Sequence, residues 1–219
     1  MTDEKLFRLW PTFVLRKQFP DHDKIKPGLL DFIGSYMEED PEGRKANENR
    51  NLYESKYDIL RRFAEKNASL KALGIFLAQS FAEVSTAANH TSWQRDGIKP
   101  EDLSVQITAS WFINYLDQGN VNPHLHGNCS WSCVYCLQMG STADSMDGAT
   151  YFICPGNKSD SSDSGAAYAG EASRYFSAKE GYALFFPSHL VHGSFPYKGD
   201  APRIIFSANA RLEKQTHGT

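Results

Sequence analysis

The sequence predicts a mainly β domain with added α, an antiparallel sandwich or barrel whose helices pack outside one sheet. Two observations carry that prediction. From about residue 103 apolar side chains recur at every second position, the period of a strand with one buried face, and short runs of this kind continue to about residue 210 with turn residues between them. Before residue 100 the apolar period is that of a helix, so the helices come first and are expected to lie as a layer against the sheet that follows.

Taken in order, Leu9-Trp10-Pro11-Thr12-Phe13-Val14-Leu15 reads as an edge strand, where the missing N–H of Pro11 is tolerated. Pro27 is expected to open a helix with Leu29, Leu30, Phe32, Ile33, Tyr36 and Met37 on its apolar face. Glu39 to Asn51 is polar and reads as a solvated loop. A second helix is expected to start near Ser55, with Tyr57, Leu60, Phe63 and Ala64 inward. Ser69 is expected to cap a third, with Leu70, Leu73, Phe76, Leu77, Phe81 and Val84 inward. These stripes read as core packing. Leu103, Val105, Ile107, Ala109, Trp111, Ile113 and Tyr115 then alternate with polar residues as one long half-buried strand, and Asp117-Gln118-Gly119-Asn120 is a turn. Further strands are expected near 122–127, 131–138, 149–154, 182–186, 190–195 and 203–210. Between Pro155 and Ser173 the chain is small and polar, which reads either as a disordered segment or as a functional lid, a mobile flap near a pocket mouth being the expectation.

The 219 residues suit a single domain over 1–219, with a helical support region over 1–100 and a β core over 101–214. The net charge of −3 and the lack of any basic run argue against nucleic acid as a partner. The longest apolar stretch, Leu73 to Val84, is broken by Gln79, Ser80 and Glu83, so no membrane span is expected. The charged start Met1-Thr2-Asp3-Glu4-Lys5 leads into no apolar region, and the expectation is a cytoplasmic protein. Cys133 and Cys136 have the spacing of a CxxC pair, but in a strand that spacing sends the sulfurs to opposite faces, so both read as small buried hydrophobes.

The chemistry is carried by a few residues far apart in the chain. In an extended segment, His124-Leu125-His126 aims both imidazoles at one point, and His192 from a distant strand can close a facial set on a divalent metal. Arg203, on a later strand, can clamp an acidic cosubstrate with a two-pronged bond. A lone buried His is more often a hydrogen-bonded core group than a ligand. Three at this spacing with an Arg beyond them point to a non-haem iron oxygenase. His189 reads as a turn residue, and His22, His90 and His217 as surface residues without partners.

Three stretches resemble the iron(II)/2-oxoglutarate-dependent dioxygenase superfamily, and more narrowly a group of 2-oxoglutarate-Fe(II) oxygenases of marine bacteria and phages. They are Ser110-Trp111-Phe112-Ile113-Asn114 with His124-Leu125-His126 and Ser132-Cys133-Val134-Tyr135, then Glu180 to Ser188 with His192, then Pro202-Arg203-Ile204-Ile205-Phe206-Ser207-Ala208-Asn209. A weaker echo is Leu9-Trp10-Pro11-Thr12. The resemblance implies a double-stranded β-helix, a jelly-roll, cupin-like barrel, with Fe(II) as metal and 2-oxoglutarate as cosubstrate. It implies His124 and His192 as iron ligands, Arg203 on the distal carboxylate of 2-oxoglutarate, and Tyr135 as a hydrogen-bond donor to the same carboxylate. With Arg203 inward, period two also turns Ile205, Ser207 and Asn209 inward, and Ser207 and Asn209 join the cosubstrate candidates. The activity implied is hydroxylation of an unactivated C–H bond, with release of succinate and CO2, on a small-molecule or peptidyl substrate that the sequence does not specify.

The superfamily's usual acid, two residues after the first His, is here His126. His126 is expected as the third ligand. The alternatives are an unbound His126 with water in that place, or a carboxylate such as Asp117, Asp144 or Asp147. Two rival functions remain: a cupin-type metalloenzyme that does not use 2-oxoglutarate, and a metal-free jelly-roll binding protein. Cupins also favour His-x-His, but the segment after Gly127 lacks the Glu they usually carry.

Overall fold

The computed structural model describes residues 11–43, 51–156, 164–165 and 171–215, and they form two antiparallel sheets with a helical layer outside the larger one. Trp10 and the segment before it, and His217, lie outside the described residues, as does most of the expected flap. The larger sheet runs in the order β1 (Leu15–Gln18), β8 (Tyr182–Pro187), β5 (Trp131–Gln138), β10 (Arg203–Lys214), β3 (Leu103–Tyr115), β2 (Leu52–Glu54). The smaller runs β4 (Val121–His124), β9 (His192–Ser194), β6 (Thr150–Ile153), β7 (Ser173–Phe176). β2 and β7 were not expected from the sequence, being three and four residues long and short of a full hydrophobic period.

Helix α1 (His22–Glu39) buries His22, Ile25, Leu29, Ile33 and Tyr36, spaced three and four apart. Pro27 lies inside this helix rather than at its start. The helix begins earlier because the His22 and Ile25 N–H groups bond to the Phe19 and Asp21 carbonyls, and the proline forfeits one bond near the helix start. Helix α3 (Ala68–Arg95) is capped by Asn67, whose side chain accepts from Leu70 N at 3.0 Å, not by Ser69. Ser69 instead faces Gly28 of α1. A Cβ there would stand 2.4 Å from its Oγ, so the glycine is what lets the two helices approach. The helix expected near Ser55 starts at Ile59 (α2, Ile59–Phe63), since residues 52–54 pair with β3 and Ser55 bonds to Phe112 through both its N–H and its hydroxyl.

The apolar stripe of β3 does not lie on one face. The register with β10 slips between Asn209 and Ala210, which pair with Ala109 and Ile107, leaving Thr108 as the extra residue of a bulge. Val105 and Ile107 consequently pack towards the helices, while Ala109, Trp111, Ile113 and Tyr115 face the space between the sheets. The helical side of the sheet is filled by Phe112, Cys133, Tyr135, Phe185 and Phe206 against Leu70, Phe76, Leu77 and Phe81. The other side carries Trp111, Ile113, Ile205, Val134, Leu184 and Phe186. Cys133 and Cys136 do lie on opposite faces, and all four cysteines are free. No helix among the described residues is long and apolar enough to cross a membrane.

Candidate metal and cosubstrate site

The site lies between the sheets. β4 and β9 pair with a register shift between Val121 and His124 that makes His124 and His192 direct partners. Pro123 sits within that irregular stretch, where a residue without an N–H costs the ladder least. β4 ends at His124, and the next turn is fixed by His126 N bonding to Ser188 O at 3.0 Å. Leu125 is sent out to solvent while His126 returns to the side of His124, as the period-two reading requires.

The three rings converge. Their centroids are 5.0 Å apart for His124 and His126, 4.3 Å for His124 and His192, and 5.1 Å for His126 and His192, and one nitrogen of each lies within 4.8 Å of the others. Two of the rings are oriented by their own backbone: His124 Nδ1 bonds to Asn122 O and His192 Nδ1 to Leu190 O, both at 2.9 Å. Since a carbonyl only accepts, both Nδ1 atoms carry the proton, and both Nε2 lone pairs are free. Burial against Phe186 and Phe152 pushes the His192 imidazole down to about 3, and burial with the nearby His124 pushes His126 down to about 4. Both rings are thus held neutral, the form that binds a metal.

These imidazoles line a cavity of about 350 Å³ that also includes Arg203, Ser207, Trp111, Tyr115, Glu54 and Tyr57. Arg203 is 1% exposed, yet its Nε and Nη1 have no hydrogen-bond partner among the described residues. Its guanidinium stands 4.4 Å from the centre of the Tyr115 ring, its register partner on β3. Gly148, at φ +64, presses on its stem; a Cβ there would come within 2.9 Å of Arg203 Cδ. A buried cation with open donors is costly unless an anion meets it, so the cavity suits a carboxylate ligand.

Residues 109–209 match a family model described as "Putative 2OG-Fe(II) oxygenase". That stretch, the β core from β3 to β10, is therefore similar to the iron(II)/2-oxoglutarate-dependent oxygenases. Solved structures agree on the fold. A prolyl-4-hydroxylase of Pseudomonas putida is 13% identical with a TM-score of 0.51, covering 90% of this chain and 91% of its own. The viral collagen prolyl hydroxylase of Paramecium Bursaria Chlorella virus-1 is 11% identical with a TM-score of 0.54, covering 89% and 94%. The epimerase SnoN, solved with Fe3+ and alpha ketoglutarate, is 13% identical with a TM-score of 0.52, covering 94% and 82%. No curated protein matches the sequence. The fold is accordingly the double-stranded β-helix; the matched family is named for 2-oxoglutarate and Fe(II), and His124, His126 and His192 could hold such a metal.

Not every sequence expectation reaches the cavity. Tyr135 does not line it: the pleat of β5 turns its ring into the helical core, where its hydroxyl donates to His22 Nδ1 at 2.6 Å. The role of donor to the cosubstrate carboxylate is therefore not available to it. Val134, one residue earlier, lines the cavity instead. His22, expected at the surface, is 7% exposed and also contacts Glu180 Oε1 through Nε2 at 3.3 Å. Asn209 shares the inward face of β10 with Ser207 but is not among the lining residues, and its Oδ1 accepts from Ser132 Oγ at 2.9 Å. His189 and His90 are exposed, as expected. Among the described residues, Asp117, Asp144 and Asp147 do not join the imidazole cluster; the last two are bonded within their own loop. Trp111 is a cavity wall, whereas Phe195 packs on Tyr151 and is not. Glu54 was missed because it sits in a three-residue strand at the edge of a polar segment, where no periodicity announces it.

Proposed function

We propose that this oxygenase is an Fe(II)- and 2-oxoglutarate-dependent dioxygenase that hydroxylates an unactivated C–H bond, within one domain over residues 1–219 whose β-helix core spans 101–214. His124, His126 and His192 hold the iron through neutral imidazole nitrogens, and Arg203 receives the distal carboxylate of 2-oxoglutarate, with Ser207 beside it on β10. The observation that carries this reading is Arg203 itself: a fully buried guanidinium, two of whose donors have no partner among the described residues, in the same cavity as three converging imidazoles. A metal-free binding protein has no need of the imidazoles, and a cupin that does not use 2-oxoglutarate has no need of the open guanidinium. With iron and 2-oxoglutarate bound, O2 would be the oxidant: one of its oxygen atoms would enter the C–H bond as hydroxyl and the other would enter the cosubstrate, which would leave as succinate and CO2.

The chain's own part is to bind and orient. The Asn122 and Leu190 carbonyls fix two ring orientations before any metal arrives. The Tyr115 ring and Gly148 confine the Arg203 side chain, so that a carboxylate meets a preset partner. Phe152, Phe186 and Trp111 wall the imidazoles with apolar surface and limit water there. Succinate release from 2-oxoglutarate by the protein with iron and ascorbate, accompanied by a product heavier by one oxygen, tests the reading. No 2-oxoglutarate binding to the metal-loaded protein would reject it.

A further inference from the structure

The chain crosses from the smaller sheet to the larger between β4 and β5, and back again between β8 and β9. The two crossings are joined through one residue, Ser188, which is 5% exposed. Its backbone N–H donates to Ser130 O and its carbonyl accepts from His126 N, both at 3.0 Å. Its hydroxyl donates to Cys129 O at 2.5 Å. Backbone and side chain of one serine thus hold both ends of the turn from His126 to Ser130.

That turn needs holding. Asn128 lies within it at φ +58, in the left-handed region, which a residue with a side chain keeps only when its surroundings fix it. The next two carbonyls are both tied: Asn128 O accepts from Arg211 Nε, and Cys129 O from the Ser188 hydroxyl.

The three imidazoles differ in what orients them. His124 and His192 each give Nδ1–H to a carbonyl two residues earlier. The His126 ring has no hydrogen bond among the described residues; it meets the rings of His124, His192 and Trp111. Its aim is therefore inherited from the turn. Ser188 is not among the residues that line the cavity. It lies behind the turn, with Cys129, on the wall of a separate groove.

We propose that Ser188 is the positioning residue for His126: its hydroxyl, by binding the Cys129 carbonyl, fixes the turn and so holds the third imidazole where the other two converge. The proposal rests on the reading of His126 as the third metal ligand.

Titration of the whole protein with Co(II), followed by its visible absorption, tests it. Ser188→Ala removes the hydroxyl and leaves both backbone bonds possible. It is expected to weaken Co(II) about tenfold or more, the range for losing an outer partner of a ligand. The same substitution in the His126→Ala protein is expected to change Co(II) affinity by less than about twofold, because no third imidazole is left to aim. A Ser188→Ala protein within about twofold of wild type overturns the proposal. So does a loss that persists in the His126→Ala background, which is what general loosening of the site would give. The His126→Ala protein alone separates the two levels. Co(II) affinity equal to wild type there sinks the ligand reading, whereas a His126→Ala defect without a Ser188→Ala defect sinks this inference alone.

Discussion

His124 and His192 are register partners across β4 and β9, their rings 4.3 Å apart, and each gives its Nδ1–H to the carbonyl two residues before it. The same local device on both strands leaves two Nε2 atoms facing one point. A bulge in β4 is what brings them level, since without the slip between Val121 and His124 the two would be offset by a residue.

Replacing either of these histidines by Ala is expected to lower metal affinity by more than about 100-fold, beyond the range seen on losing an outer partner of a ligand. Metal analysis after reconstitution should fall from near one ion per chain to near none. Stoichiometric metal in both variants would reject the ligand assignment. His126→Asp is expected to keep the metal, because a carboxylate can take the same position, while His126→Ala weakens it.

Arg203→Ala is expected to weaken 2-oxoglutarate by roughly 3–5 kcal/mol, or about 10²- to 5 × 10³-fold in Kd, since the bound carboxylate loses a buried charge partner. Arg203→Leu should do the same and also raise the Tm of the ligand-free protein, because the Nε and Nη1 donors are buried without partners among the described residues. Calorimetry and thermal melts report the two effects separately. Cosubstrate affinity that stays the same in both variants would show that the guanidinium serves something else.

Tyr135→Phe separates the two faces of β5. The residue lies in the helical core with its hydroxyl on His22, so 2-oxoglutarate affinity is expected to stay within about twofold while stability drops by about 1–2 kcal/mol for a lost buried hydrogen bond. A cosubstrate defect with unchanged stability would reverse that placement.

The ligand-free protein is expected to lose stability as pH falls from about 6.5 towards 4. Burial depresses His126 to about 4 and His192 to about 3, so over this window the unfolded chain binds protons that the folded chain does not. Above pH 6.5 both states hold neutral rings and the effect is absent. Denaturant melts across this range should show a smaller slope with pH in His126→Gln. An equal slope in that variant would mean that His126 titrates normally in the folded state.

Local pattern made much of this legible. The period of two marked β3, β5 and β8, and the pair His124 and His126 could be placed on one side from their spacing because an extended chain alternates its faces. Alternation says only which residues share a face, not which face is the pocket. Tyr135 and Val134 are neighbours on one strand, and only the packing of α3 against β5 and β8 decided that Val134 lines the cavity and Tyr135 the core.

The sequence by itself determined an antiparallel sandwich or barrel with three histidines and an arginine as its candidate site, because each of those signals is short-range or a matter of residue type. Tertiary structure alone decided the bulge that splits the β3 stripe, the burial of His22, the open donors of Arg203, and the arrival of Glu54 and Tyr57 beside Trp111. These depend on which strands pair and in what register, and free energies of burial and pairing between segments far apart in the chain leave no period in either segment.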